Sequence, residues 1–312
     1  LIDYYVEVTC EVSEQVGYVN LEATGRYAYG EEVVLSAEVI DDAYTFVGWF
    51  DGEELLSSSR EWTYTVQDRD IVIVARYSIK EMKFTSPYNG EAALLSIGTF
   101  CNEKEIILPS YTPDGVRITC MEYDAFYGAR DVLESVFIPD GIEIRVAQFD
   151  GFEQLREVRI PDDTTIIPQQ IFNDCISLEK INIPSSLKKI DISAFLGCKS
   201  LRNVSFPSTL EVIELFAFQE SGITNVNFLG DSLKISSQSF GYCADLREIT
   251  LPRIEMPEEE SKDNSYFINS GLEKVTFNED QEVIGMEWFM GCKSLKELVF
   301  SKNLKSISDH AF

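Results

Sequence analysis

His310 and seven cysteines are the residues of this chain best suited to acid–base, nucleophilic or metal chemistry, and their placement leaves little of it open. A lone imidazole near the end of the chain excludes most Ser-His and Cys-His sites, which need that ring held in a packed pocket. No C-x-x-C occurs, so a zinc site lacks its usual donors. The phosphate-cradling patterns GxGxxG and GxxxxGKS/T are absent as well. The 53 acidic residues offer many carboxylate pairs of the kind that hydrolyse glycosides, but each is expected to be surface charge. Doublets such as Asp41 with Asp42, or Asp162 with Asp163, lack the calcium-loop pattern and read as turns. No catalytic residue, metal ligand or cofactor is therefore expected, and the chain is not expected to be an enzyme.

Four cysteines, Cys175, Cys198, Cys243 and Cys292, share one slot, three residues after a phenylalanine. That phenylalanine recurs: Phe126, Phe149, Phe172, Phe195, Phe218, Phe240, Phe267, Phe289 and Phe312 stand 23, 23, 23, 23, 22, 27, 22 and 23 residues apart. Within each interval an aliphatic residue, such as Leu178, Leu201 or Leu246, is followed three positions on by Val, Ile or Leu and two further on by another apolar residue, the pattern L-x-x-V-x-I. Its last two apolar positions alternate at period 2, as in a short strand with one buried face. A proline often ends it, as at Pro161, Pro184 and Pro207. A second aliphatic residue before the next Phe, such as Ile167, Ile190 or Ile213, marks a return segment.

One such unit cannot bury its apolar face alone. Units must stack, with strands about 4.8 Å apart, into a solenoid of parallel strands around one continuous core. Stacked Cys175 and Cys198 would hold their Cβ atoms parallel and farther apart than a disulfide bridges, so the four thiols are expected to be buried, reduced and to act as small hydrophobes. Cys101 and Cys120 could pair with each other, and Cys10 has no evident partner, so the seven make no disulfide framework.

At 312 residues, 45% hydrophobic and 25% charged, the chain can bury substantial cores, in about two domains. A net charge of −27 argues against nucleic acid or an anionic membrane as partner, since both need positive patches. No apolar run approaches the roughly 18 to 20 residues of a membrane span, so no membrane insertion is expected. A monomer is expected. The chain opens on Leu1, so any targeting segment is expected to have been removed. It stops at Phe312 in mid-unit, where the natural chain is expected to continue or to have been cut.

The repeated words, such as AFLGCKSLRNVSFP at 194–207, resemble the leucine-rich repeats of bacterial surface proteins of the Treponema and Bacteroides type, known as BspA-like, over residues 83 to 312. The resemblance implies a leucine-rich-repeat solenoid with little helix over 81–312. In it, 81–124 would form the N-terminal cap and first irregular coil, and 125–312 the repeats. Residues 1–80 differ in kind. Alternating runs (Val33, Leu35, Ala37, Val39; Ile71, Ile73, Ala75, Tyr77) punctuated by Gly25, Gly30 and Asp51-Gly52 read as a small antiparallel all-β domain. There YGEEVVL, FVGWF and DIVIVARY resemble a divergent internalin-type B-repeat over about residues 4 to 78, a spacer of surface proteins. Trp49 is expected in its core rather than as a sugar platform.

What a solenoid supplies is surface. Residues flanking the central Val of each strand point away from the core and form two ladders. From them Lys180, Asn182, Asn203, Ser205, Asn225, Asn227, Glu248 and Thr250 are candidate binding residues on an expected concave face. A second candidate lies where the spacing grows to 27, in RIEMPEEESKDNSY. Glu258, Glu259 and Glu260 stand in this insertion, and Tyr266 and Trp288 precede the next two repeat phenylalanines where alanine stands in several other units. These rings either form an aromatic and acidic patch for a sugar or a cationic segment, or cover a cavity opened by the insertion. The resemblance implies a secreted or cell-surface bacterial module that recognises a protein or glycan, or else a spacer presenting another domain.

Overall fold

The computed structural model describes residues 3–10, 17–39, 44–52, 54–79, 82–86, 89–98, 103–112, 115–255 and 264–312. The chain divides into two compact units, residues 1–98 with 107–120, and residues 99–106 with 121–312. Much of the segment expected to cap the solenoid groups with the first unit, where Tyr111 stacks on Phe50 at 5.6 Å.

In the first unit a five-stranded sheet runs Gly25–Ala28, Asp3–Cys10, Ile71–Ile79, Tyr44–Asp51, Glu54–Ser57. Its pairs are antiparallel except that Asp3–Cys10 lies parallel to Ile71–Ile79. A second sheet orders Gly17–Val19, Glu32–Val39 and Glu61–Thr65, and its alternation buries Val33, Leu35 and Ala37. Trp49 is wholly buried, its indole N–H donating to the Ser59 carbonyl at 2.9 Å.

The second unit is the solenoid. The L-x-x-V-x-I strands, among them Ser135–Phe137, Glu157–Arg159, Asn203–Phe206, Asn225–Phe228, Glu248–Leu251 and Lys274–Phe277, pair in parallel with equivalent residues opposite each other. Val136 faces Val158, Val204 faces Val226, and Ile249 faces Val275. The return segment carries a second row of short parallel strands, including Ile166–Ile167, Lys189–Ile190 and Val212–Ile213, beyond the single strand per unit expected. Around the repeat phenylalanines from Phe149 to Phe240, and again at Phe289, the chain turns with left-handed residues two before and two after, as at Ser193 and Gly197, Phe216 and Glu220, and Gln238 and Tyr242. These turns present N–H groups to the next coil: Ser193, Phe195 and Gly197 donate to the carbonyls of Leu215, Ala217 and Gln219.

Inside, the rings from Phe126 to Phe312 form one column with successive centroids 4.9 to 5.8 Å apart. They are buried through Phe289, and Phe312 is 46% exposed.

Candidate functional site

The alternation that buries Val204 and Phe206 turns Asn203 and Ser205 to solvent, and the parallel register sets Asn225 and Asn227 beside them. Asn225 Nδ2 donates to Asn203 Oδ1 at 2.7 Å, and Asn227 Nδ2 to Ser205 Oγ at 3.1 Å. On either side the rungs are charged. Lys180 pairs with Glu157 at 3.2 Å, and Lys274 with Glu297 at 2.7 Å. Glu248 and Thr250 are exposed opposite Lys274 and Thr276, and the Arg159 guanidinium lies over the Phe137 ring at 4.9 Å. The four central residues thus make an uncharged, amide-rich patch on an acidic chain.

Asn182 departs from the ladder. Its Oδ1 accepts from the Ile160 N–H at 2.8 Å and its Nδ2 donates to the Ile160 carbonyl at 2.9 Å. The side chain replaces the backbone rung, which explains why Lys180–Ile181 stops after two residues and why Asn182 is half-buried rather than presented.

Next to the ladders runs a column of alternating charge. Glu134 lies between Lys104 (2.6 Å) and Arg156 (3.9 Å), and Glu273 between Lys296 (2.7 Å) and Arg247 (3.9 Å). Hydrogen bonds from the ammonium groups of Lys104 and Lys296 hold the two carboxyls below their ordinary range, and Glu297 holds Lys274 above its own. All of these groups are solvated, so each pair contributes little to stability.

The insertion patch is corrected by the structure. Tyr266 and Trp288 do stack, at 5.3 Å, but both are buried, and burial pushes the Tyr266 phenol up to about 12. The slot before each repeat Phe faces inward in every coil: Ala125, Gln148, Ile171, Ala194, Ala217, Ser239 and Ala311 are buried as well. Neither ring can offer a face to a ligand. Glu258, Glu259 and Glu260 lie outside the described residues, as does Cys101. Cys120 is a free, half-buried thiol, and Cys175, Cys198, Cys243 and Cys292 are free and buried.

One feature escaped the repeat pattern because it depends on the two earliest repeat coils. Tyr123, Asp124, Tyr127 and Arg130, with Ala147, Gln148, Asp150 and Phe152, line a cleft of about 290 Å³. The nearest signal in the sequence is a pair of tyrosines flanking Phe126 where later units carry other residues.

Comparison with protein families finds that a model described as the BspA type leucine rich repeat region matches residues 119–247 and 231–312, in six copies. Another, the divergent InlB B-repeat domain, matches residues 8–81. No curated protein matches by sequence. Among solved structures, the chain is similar to a leucine-rich repeat protein of T. pallidum, at 20% identity and a TM-score of 0.40, covering 73% of this chain and 83% of that one. It is similar to a leucine-rich repeat protein of Bacteroides ovatus, at 17% identity and 0.34, covering 73% and 89%. A leucine rich cell surface protein of Faecalibacterium prausnitzii is similar at 16% identity and 0.38, covering 72% and 94%.

Proposed function

This chain belongs to the BspA type leucine-rich repeat family, and from that premise we propose that it is a non-catalytic recognition module of a bacterial cell surface that engages a protein or glycan through the strand face of its solenoid. The observation that carries the reading is the exposed patch of Asn203, Ser205, Asn225 and Asn227. Four uncharged donor–acceptor groups lie in register between ion-paired rungs, so a ligand can replace their mutual hydrogen bonds without desolvating a charge. Adhesion is the use that suits such a face. Among the described residues no helix is long and apolar enough to cross a membrane. A spacer role is the second reading, favoured by the B-repeat match at residues 8–81.

The test is binding of the whole chain to panels of immobilised glycoproteins and polysaccharides, beside the double variant Asn203→Arg with Asn225→Arg. A ligand bound by the parent and lost by the variant is expected. Binding to no member of the panels would favour the spacer, and binding indifferent to the variant would overturn the strand face as the site.

A further inference from the structure

We propose that the cleft between the coils of Phe126 and Phe149 is a second binding site, for an uncharged saccharide. It stands apart from the strand-face patch and rests on different observations.

Two tyrosines flank the cleft, and both are open to solvent: Tyr123 is 64% and Tyr127 70% exposed. Large rings on a turn would ordinarily be folded against their neighbours, because exposed aromatic area is costly. Between them stand groups of both hydrogen-bonding kinds. Arg130 donates through Nε to the Gly151 carbonyl at 3.3 Å, and among the described residues no carboxylate pairs with it. Its position is built into the backbone. A Cβ on Gly151, which has φ +68°, would sit 2.1 Å from a guanidinium nitrogen, so the glycine makes the room that the arginine occupies. Asp150 is held by Asn173 Nδ2 at 2.7 Å, and Asp124 adds a second carboxylate. Beneath them the Gln148 amide is buried and fixed, accepting from the Arg145 N–H at 2.8 Å and donating to the Met121 carbonyl at 3.2 Å.

The mixture selects the ligand. A cation would gain from the tyrosines and the carboxylates but would face Arg130 at close range. An anion would gain from Arg130 but would meet Asp124, Asp150 and a chain of net charge −27. A neutral ring with an apolar face and adjacent hydroxyls meets no such conflict. Its C–H face packs on a tyrosine, its hydroxyl protons go to the carboxylates, and its oxygens accept from Arg130. At about 290 Å³ the cleft stands at the lower end of the usual range for small-ligand sites, which suits a short saccharide.

The experiment screens the full chain against neutral oligosaccharides, sialylated and uronic-acid oligosaccharides, and a lysine-rich peptide, and follows any hit by titration calorimetry. A neutral oligosaccharide is expected to bind. Tyr127→Ala and Arg130→Gln, both at exposed positions, should each weaken it about tenfold or more with unchanged melting temperature. Asn203→Arg with Asn225→Arg should leave it unaffected, which separates failure here from failure of the strand-face reading. The proposal is overturned if no neutral saccharide binds, if binding survives both cleft variants, or if the cleft variants instead abolish binding of the acidic oligosaccharides or of the peptide.

Discussion

At the scale of single residues, the cysteine slot has a chemical rationale. Cys175, Cys198, Cys243 and Cys292 each donate through Sγ to the carbonyl of a repeat Phe one coil back, at 3.0 to 3.1 Å. Ser221 and Ser270 fill the same slot in other coils, each against the Sγ of the next coil's cysteine, whereas Ala129 and Phe152 fill it in the first two, so a short polar side chain is common there without being required. Burial raises the thiols of Cys175, Cys198 and Cys243, the last up to about 12 from an ordinary 9.0. The folded chain then keeps a proton that the unfolded chain gives up. This contribution to stability is complete below about pH 9 and is lost as pH rises toward 12. Denaturation midpoints should therefore fall across that alkaline window, and fall less in Cys243→Ser. Near pH 8 these three thiols should resist a labelling reagent until the chain unfolds; prompt labelling of them in the native protein would contradict their placement.

At the scale of elements, the inward row before each repeat Phe shows how the fold absorbs an oversized side chain. Trp288 occupies a slot that holds alanine in several other coils, and Gly285 makes room for it: a Cβ there would lie 2.1 Å from the indole Nε1 and 2.8 Å from Cε2. Gly285→Ala should therefore destabilise by about 1 to 3 kcal/mol, the cost of overpacking. The loss should shrink in a Trp288→Phe background, where that edge of the ring is gone, and equal losses in both backgrounds would refute the clash.

The strands and the Phe column were legible in the sequence because every coil repeats the same demand at the same slot. The inward direction of Tyr266 and Trp288 was also written there, in the Ala, Ile and Ser of neighbouring units, but the identity of two large rings drew attention away from it. The return strands were not legible, since two residues such as Lys189–Ile190 carry no alternation to distinguish a strand from a turn. The cleft at Tyr127 was hidden for another reason: its members come from two coils, and only stacking brings them together.

For the whole molecule, charge is the dominant long-range term. The exposed ion pairs of the strand face contribute little each, while an excess of 27 negative charges repels itself throughout the folded state. Raising ionic strength from about 10 mM to about 150 mM shortens the Debye length from roughly 30 Å to 8 Å and should raise the melting temperature. A fall would mean that the ion-pair columns outweigh the repulsion.

The turns give the solenoid a direction as well. In its sheets, amides point alternately forward and back along the stack, so their dipoles largely cancel. Across the residues around the repeat phenylalanines from Phe149 to Phe289 they do not: Phe149 donates to Ile171, Phe195 to Ala217, Phe267 to Trp288, from the earlier coil to the later. The dipoles along this edge add, with the positive pole toward later coils, opposite in sense to an α-helix. Such an edge has a grain. Its forward side offers only donors and its rear side only acceptors, so it can be extended head to tail, while two like sides brought together would leave both sets of groups unmatched.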